Sequence, residues 1–248
     1  MTPQRTPKLD RGQVVDTALD LLNEAGLDGL TLRAIAARLD VKAPALYWHF
    51  KDKQALLDEM ATEMMRRMTA RAAAGAGAGA DGADAASGAD GADGADGADG
   101  ADGAGRAPAP GDWRETYLRT MRTLRAELLR YRDGAKVYSG SRFTDTGYAA
   151  ELDTWLRLLV ESGFTPVAAA RAWQTAYSYT IGYVIEEQAM GPNPFDGEEG
   201  YDLDARAERL AAHPLAAESG RVMFQDFDEG FEQGLAAVLA GVEATLLG

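Results

Sequence analysis

TLRAIAARLDVKAPALYWH, residues 31–49, decides how this chain is read. Leu32, Ile35, Ala36 and Leu39 recur at helical spacing, and Thr31 stands where an N-cap hydroxyl is wanted. Asp40-Val41 then offers a tight turn. A second, very short helix is expected over residues 43–49, with Pro44 in its first turn, where a missing N–H costs nothing. Ala36 and Ala37 are small enough for two helices to cross closely, and Val41 and Leu46 can plug the crossing. An amphipathic helix, a tight turn and a short second helix make a helix-turn-helix. That arrangement leaves Lys42, Ala43, Ala45, Tyr47, Trp48 and His49 partly exposed. An exposed Tyr-Trp-His triplet is unfavourable unless a partner covers it. A tip of small residues can enter a major groove, with aromatics and cations meeting phosphates and thymine methyls. For Tyr47, packing against the preceding helix is the alternative.

Working outward, a helix is expected from about Asp10 to Ala25. Its inner face is Val14, Val15, Ala18, Leu19, Leu21 and Leu22, Asp10 with Gln13 forms a capping box, and Gly26 suits a left-handed terminus. Another opens after Asp52 and continues through Leu56, Leu57, Met60, Met64 and Met68. Residues 1–71 carry 11 Lys and Arg against 10 Asp and Glu, whereas the whole chain of 248 residues has a formal charge of −14. The acid therefore lies outside this first unit, which can still bind DNA if its cations share a face.

From Ala72 to Ala107 the chain is almost entirely Ala, Gly and Asp, with Ala-Asp-Gly repeated from Ala89 to Gly103. No side chain there buries enough area to offset backbone ordering. A flexible acidic linker over residues 72–110, spanning about 30–36 Å as a random coil, is expected. Beyond it, residues 111–248 read as helices only. Trp113, Tyr117, Leu118, Met121, Leu124 and Leu128 form one stripe, and Leu152, Trp155, Leu156, Leu159 and Val160 another, stopped at Gly163. Pro166 opens a long helix to about Met190. After a loop at 191–197, a helix near Asp204–Ala212 should end at Pro214, and a last one should run from about Met223 to Leu247. The fold class is all-α, a helix-turn-helix unit at 1–71 followed by a larger helical unit.

Zero Cys excludes disulfide scaffolds, thiol catalysis and iron–sulfur clusters, and two His exclude a multi-histidine metal site. No apolar run reaches the ~18 residues of a membrane span, and the first eleven residues lack a signal-peptide core. A cytoplasmic protein with no membrane partner is expected. Without Cys, clustered His, a Gly-rich phosphate loop or a paired carboxylate set on one helix face, no enzyme chemistry is supplied, so no catalytic residue, metal or cofactor is assigned.

The segment Leu46-Tyr47-Trp48-His49-Phe50-Lys51-Asp52-Lys53-Gln54-Ala55-Leu56-Leu57 makes residues 9–68 resemble the DNA-binding domain of TetR-family transcriptional regulators. Ala18 to Glu24 and Tyr131-Arg132-Asp133-Gly134-Ala135-Lys136-Val137 extend the resemblance to the family's tetracycline-responsive members. The resemblance implies a homodimeric repressor on a palindromic double-stranded DNA operator, released by a small-molecule effector and controlling an efflux or antibiotic-related gene. It places base readers on Thr31, Arg33, Lys42, Ala43, Pro44 and Ala45, and phosphate or methyl contacts on Tyr47, Trp48, His49 and Lys53. Ala43 and Ala45 stand where polar readers occur in those members.

The same resemblance places an effector pocket on Thr69, Thr120, Leu124, Tyr138, Arg142, Trp155, Trp173, Tyr177 and Glu186. Tyr138 replaces a magnesium-ligating His, and a neutral Tyr is a poor ligand for a hard cation. A planar aromatic or polycyclic effector without a metal is the expectation, with Arg142 receiving an acidic group. Ordinary core packing is the alternative for the aromatics, and solvation for Glu186-Glu187. The long helix from Pro166 and the last helix are expected to pair with their copies across a two-fold axis; filling the monomer core is the alternative. A DNA-binding activator or regulator deaf to small ligands is the alternative function.

Overall fold

The computed structural model describes residues 9–81, 112–197 and 199–247. The Ala-Asp-Gly repeats lie outside the described residues. Ten α-helices and one 3₁₀ turn occur among the described residues, with a single isolated antiparallel bridge between Phe164 and Leu247.

The head is α1 (Arg11–Gly29), α2 (Leu32–Arg38) and a 3₁₀ turn (Ala43–Trp48), closed by the start of α3 (Lys53–Asp81). Gln13 accepts from the Asp10 amide at 3.3 Å, completing the expected capping box. α1 kinks at Gly26, whose φ of 67° suits glycine alone among its neighbours. A Cβ there would also meet Arg132 Nε and Asp133 Oδ2 at 3.1 Å each. The first helical stretch ends at Gly26 as expected, and a short further turn, closed by Leu30 N donating to Gly26 O at 3.2 Å, carries α1 on to Gly29. Val14, Val15, Ala18, Leu19 and Leu22 are buried against Leu30, Ile35, Ala36, Leu46 and Phe50. Each large member stabilises the head by about 1.5–3 kcal/mol. Ala37, expected at the helix crossing, is exposed; Ala36 alone makes the close approach.

The larger unit contains α4 (Trp113–Leu128), α5 (Gly134–Tyr138), α6 (Tyr148–Glu161), α7 (Pro166–Met190), α8 (Leu203–Arg209), α9 (Pro214–Phe224) and α10 (Phe227–Leu246). α7 and α10 pack along their length, where Tyr179 and Tyr183 donate to the carbonyls of Phe231 and Phe227 at 3.0 and 2.9 Å. The half-buried Arg125 of α4 joins them by pairing with Glu187 at 2.6 Å and lying 5.0 Å over the Phe231 ring.

The last helix begins at Phe227 rather than Met223, and a further helix, α9, precedes it. Pro214 starts α9 rather than ending α8, because proline fits the first helical turn. The chain breaks at Gln225-Asp226, and the Phe224 ring packs on Tyr201, 6.2 Å away, instead of joining the α10 face.

Candidate nucleic-acid interface and effector cavity

Local bonding fixes the helix-turn-helix. The Thr31 hydroxyl accepts from Ala34 N at 3.1 Å, so this side chain caps α2. Val41 N donates to Ala36 O at 3.0 Å across a turn in which Asp40 takes φ 53°, a left-handed conformation that Asp tolerates better than most residues. Ala45 N to Lys42 O at 2.8 Å and His49 N to Leu46 O at 2.9 Å are the short-range bonds that make the second element a 3₁₀ turn rather than an α-helix.

Leu46 and Phe50 are fully buried and anchor this turn. Between them Tyr47 is 57 % and Trp48 90 % exposed, so Tyr47 does not pack into the head. Lys42 and Pro44 are exposed, and Ala43, Ala45 and His49 half-buried. Thr31 and Arg33 are exposed at the start of α2. Lys53, at the start of α3, donates to Leu27 O at 3.3 Å. The ten sequence-predicted DNA residues thus occupy the start of α2, the 3₁₀ turn and the adjoining start of α3.

In the larger unit the predicted pocket residues fall into three groups. Trp155 and Trp173 meet edge to face with ring centroids 4.8 Å apart, and Tyr117 lies 5.6 Å from Trp155. Trp155 is buried, yet its indole Nε1 has no hydrogen-bond partner among the described residues. A cavity of about 610 Å³, open to solvent, is lined by Trp155, Thr154, Leu158 and Glu151 of α6 and Thr116 of α4.

In the second group, Thr69 donates to Glu151 Oε2 at 3.1 Å, and the buried Tyr138 lies 5.4 Å from Phe143. Burial drives the Tyr138 phenol well above its ordinary range, and the neighbouring Tyr177 and Glu151 add to this; burial likewise raises Tyr177. A phenol held protonated this firmly does not fit a magnesium ligand. Among the described residues no group of three or more His, Asp or Glu is placed to hold a metal ion.

In the third group, Leu124 is core, the Thr120 hydroxyl donates to Thr116 O at 2.7 Å, and Arg142 and Glu186 face solvent. Glu151 was not singled out from sequence, although it stands one helical turn before Trp155 and so shares its face.

Also missed was a junction between the two units. Glu59 of α3, buried, accepts from Arg11 of α1 and from the Thr144 hydroxyl, at 2.5 and 3.0 Å. Burial alone would raise its carboxyl, but the bonds from Arg11, Thr144 and Arg66 together hold it below its ordinary 4.5. A second junction joins the α1 kink to the turn before α5, where Leu27 N donates to Asp133 Oδ2 at 2.9 Å and Arg132 N to Asn23 Oδ1 at 3.0 Å.

The model of bacterial regulatory proteins of the tetR family matches residues 14–60, and that of the tetracyclin repressor-like C-terminal domain matches residues 107–246. The chain is 35 % identical over 240 residues to the class A tetracycline repressor from transposon 1721 of Escherichia coli, covering 95 % of this chain and 91 % of that protein. A possible TetR-family regulator of Streptomyces coelicolor A3(2) superposes with a TM-score of 0.68 at 36 % identity, over 95 % of this chain and 99 % of that one. A TetR variant from Acinetobacter baumannii AYE, solved with minocycline, gives 0.61 at 30 % identity over 96 % and 98 %. With a helix-turn-helix head, a matching C-terminal ligand-binding domain and this similarity along nearly its whole length, the chain belongs to the TetR family of transcriptional repressors, DNA-binding proteins and not enzymes.

Proposed function

We propose that two copies of this chain hold a palindromic operator, and that a planar aromatic or polycyclic effector releases it. The observation that carries the DNA half is the 90 % exposure of Trp48 beside an exposed Tyr47, on a turn whose tip is Ala43, Pro44 and Ala45. Two adjacent large aromatics in water form a patch that a partner's cover would stabilise, and small residues let the turn approach base edges closely. Arg33 and Lys42 supply the long donors for base readout, with Thr31 at the α2 start. Tyr47, Trp48, His49 and Lys53 position the backbone and methyl groups.

Pairing is supported by the outer faces of α7 and α10. Ala170, Ser178 and Gly182 on α7 and Ala236, Ala240 and Gly241 on α10 are exposed and small, and a Cβ at Gly182 or Gly241 would meet nothing within 4 Å. Such faces allow close approach of a second copy, and a two-fold pair suits two half-sites.

The effector half rests on Trp155. Its buried Nε1 is a donor without an acceptor among the described residues, its ring lines the cavity, and Trp173 meets that ring edge to face. A polycyclic molecule with a carbonyl or phenolate oxygen satisfies both features without a metal. Thr69 is tied to this wall through Glu151, whereas Leu124, Thr120, Tyr138, Tyr177, Arg142 and Glu186, which the family resemblance assigns to the effector, are not among the residues lining the cavity. The protein would act in the cytoplasm beside an efflux or antibiotic-related gene, and the Ala-Asp-Gly segment would be a passive linker.

Titrating a selected operator duplex with tetracycline, minocycline and metal-free polycyclic aromatics, with and without EDTA, tests this. Release by an aromatic compound that EDTA does not prevent is the expected result. Release by none, with specific binding intact, favours the ligand-deaf regulator.

A further inference from the structure

Arg11 sits where the recognition turn ends. Its Nη1 donates to the His49 backbone carbonyl at 3.2 Å, and its guanidinium lies 4.6 Å from the centre of the Phe50 ring. Its Nε and Nη2 both donate to Glu59 Oε2, at 3.0 and 2.5 Å. The same oxygen accepts the Thr144 hydroxyl at 3.0 Å, while Arg66 Nη1 holds Oε1 at 3.2 Å. Thr144 has one hydroxyl proton. The charged Glu59 takes it in preference to Thr62, which already accepts from Thr144 N at 2.9 Å. The rest of this segment is fastened to the same face of α3, with Arg142 N on Asp58 Oδ1 at 3.1 Å and Asp145 on Arg66 at 2.5 Å. Phe143 in the same segment packs on Tyr138. One carboxylate oxygen is thus shared between the head and the 139–147 segment of the larger unit.

We propose that Glu59 is a positioning residue for operator binding, through which Thr144 in the 139–147 segment sets the placement of Arg11 and hence of the turn ending at His49. Because the carboxylate is buried, it cannot replace a lost donor with bulk water. Loss of the Thr144 donor lets it turn, and Arg11 turns with it, loosening its hold on the His49 carbonyl. The proposal rests on the reading of Ala43–His49 as the DNA-facing surface only for its consequence, not for the coupling.

The test uses the full-length protein and needs no effector. Amide hydrogen exchange of residues 43–50 is measured in the free protein for Thr144→Val, Thr144→Ser, Arg11→Ala and the double variant R11A/T144V. Thr144 is on the surface, so its variants keep the fold. Thr144→Val is expected to speed exchange at His49 and Phe50 three- to tenfold, Thr144→Ser to restore the native rate, and R11A/T144V to match Arg11→Ala alone. Unchanged exchange in Thr144→Val, or effects of the two substitutions that multiply, overturns the proposal. In parallel, the selected duplex should bind Thr144→Val several-fold more weakly. Faster exchange with unaltered operator affinity would overturn the role of Glu59 in operator binding; the DNA-facing reading of the turn fails separately, if Trp48→Ala binds the duplex as well as the native protein.

Discussion

At the scale of single residues, Asp40 and Trp48 show how conformation and exposure separate stability from recognition. Asp40 holds a left-handed φ that an L-residue adopts at a cost of about 1–2 kcal/mol, which glycine does not incur. Thermal melts should therefore order Gly above Asp above Ala at position 40, with Asp40→Ala about 1 kcal/mol below the native chain. Trp48 makes almost no intramolecular contact, so Trp48→Ala should leave stability within about 0.5 kcal/mol while weakening operator binding at least tenfold. Equal losses in both would mean that the ring supports the fold. Arg33→Ala should cost about 1–3 kcal/mol of sequence discrimination. Lys53→Ala should instead weaken binding to all duplexes and lower the salt slope by about one. The exposed surface of the 31–49 segment was legible because its apolar residues recur with the helix period, so whatever they leave over must face outward. The Glu59 junction was not legible: Arg11 and Glu59 are 48 residues apart, and a charged residue on an amphipathic helix reads as solvated until the partner helix is placed.

At the scale of elements, close approaches and shared charges decide the packing. A Cβ on Gly134 would stand 2.3 Å from Leu128 O, within the turn where Gln188 Nε2 donates to Tyr131 O at 2.8 Å. Backbone cannot yield as a side-chain tip can, so Gly134→Ala should destabilise by several kcal/mol, on the order of a buried overpacking. Calorimetry of the variant would check it. Glu59 supplies a pH test. Its carboxyl is held below 4.5, so the stability it contributes is fully present above that value and is lost as the pH falls through the lowered one. Glu59→Gln should flatten the acid limb of the stability profile, and an unchanged limb would contradict the direction given. The break between α9 and α10 escaped the sequence because Phe224, Phe227 and Phe231 keep helical spacing straight across it. Periodicity reports which residues are apolar, not whether the backbone between them is continuous.

At the scale of the whole molecule, the chain is two helical units whose contact is made by α1 and α3 against α4, α5 and the 139–147 segment. The all-α architecture and the helix-turn-helix head were readable because neither depends on long-range pairing. The effector side was readable only as nine residues carried over from the family resemblance, since three-dimensional packing decides which of them line a cavity, as Trp155 does, and which fill core, as Leu124 does. Deleting the Ala-Asp-Gly repeats from Ala89 to Gly103 should leave operator affinity and thermal stability unchanged, and loss of effector response in that variant would give the segment a role beyond spacing. Whether the turn from Ala43 to His49 reads duplex DNA in duplicate is decided by selection from a random duplex library with the purified protein. Enrichment of an inverted repeat whose half-sites lie about one helical turn or a multiple apart, bound by a dimer and lost on Trp48→Ala, is the expected result. A library that emerges without any enriched sequence, or with one bound equally well by Trp48→Ala, contradicts it.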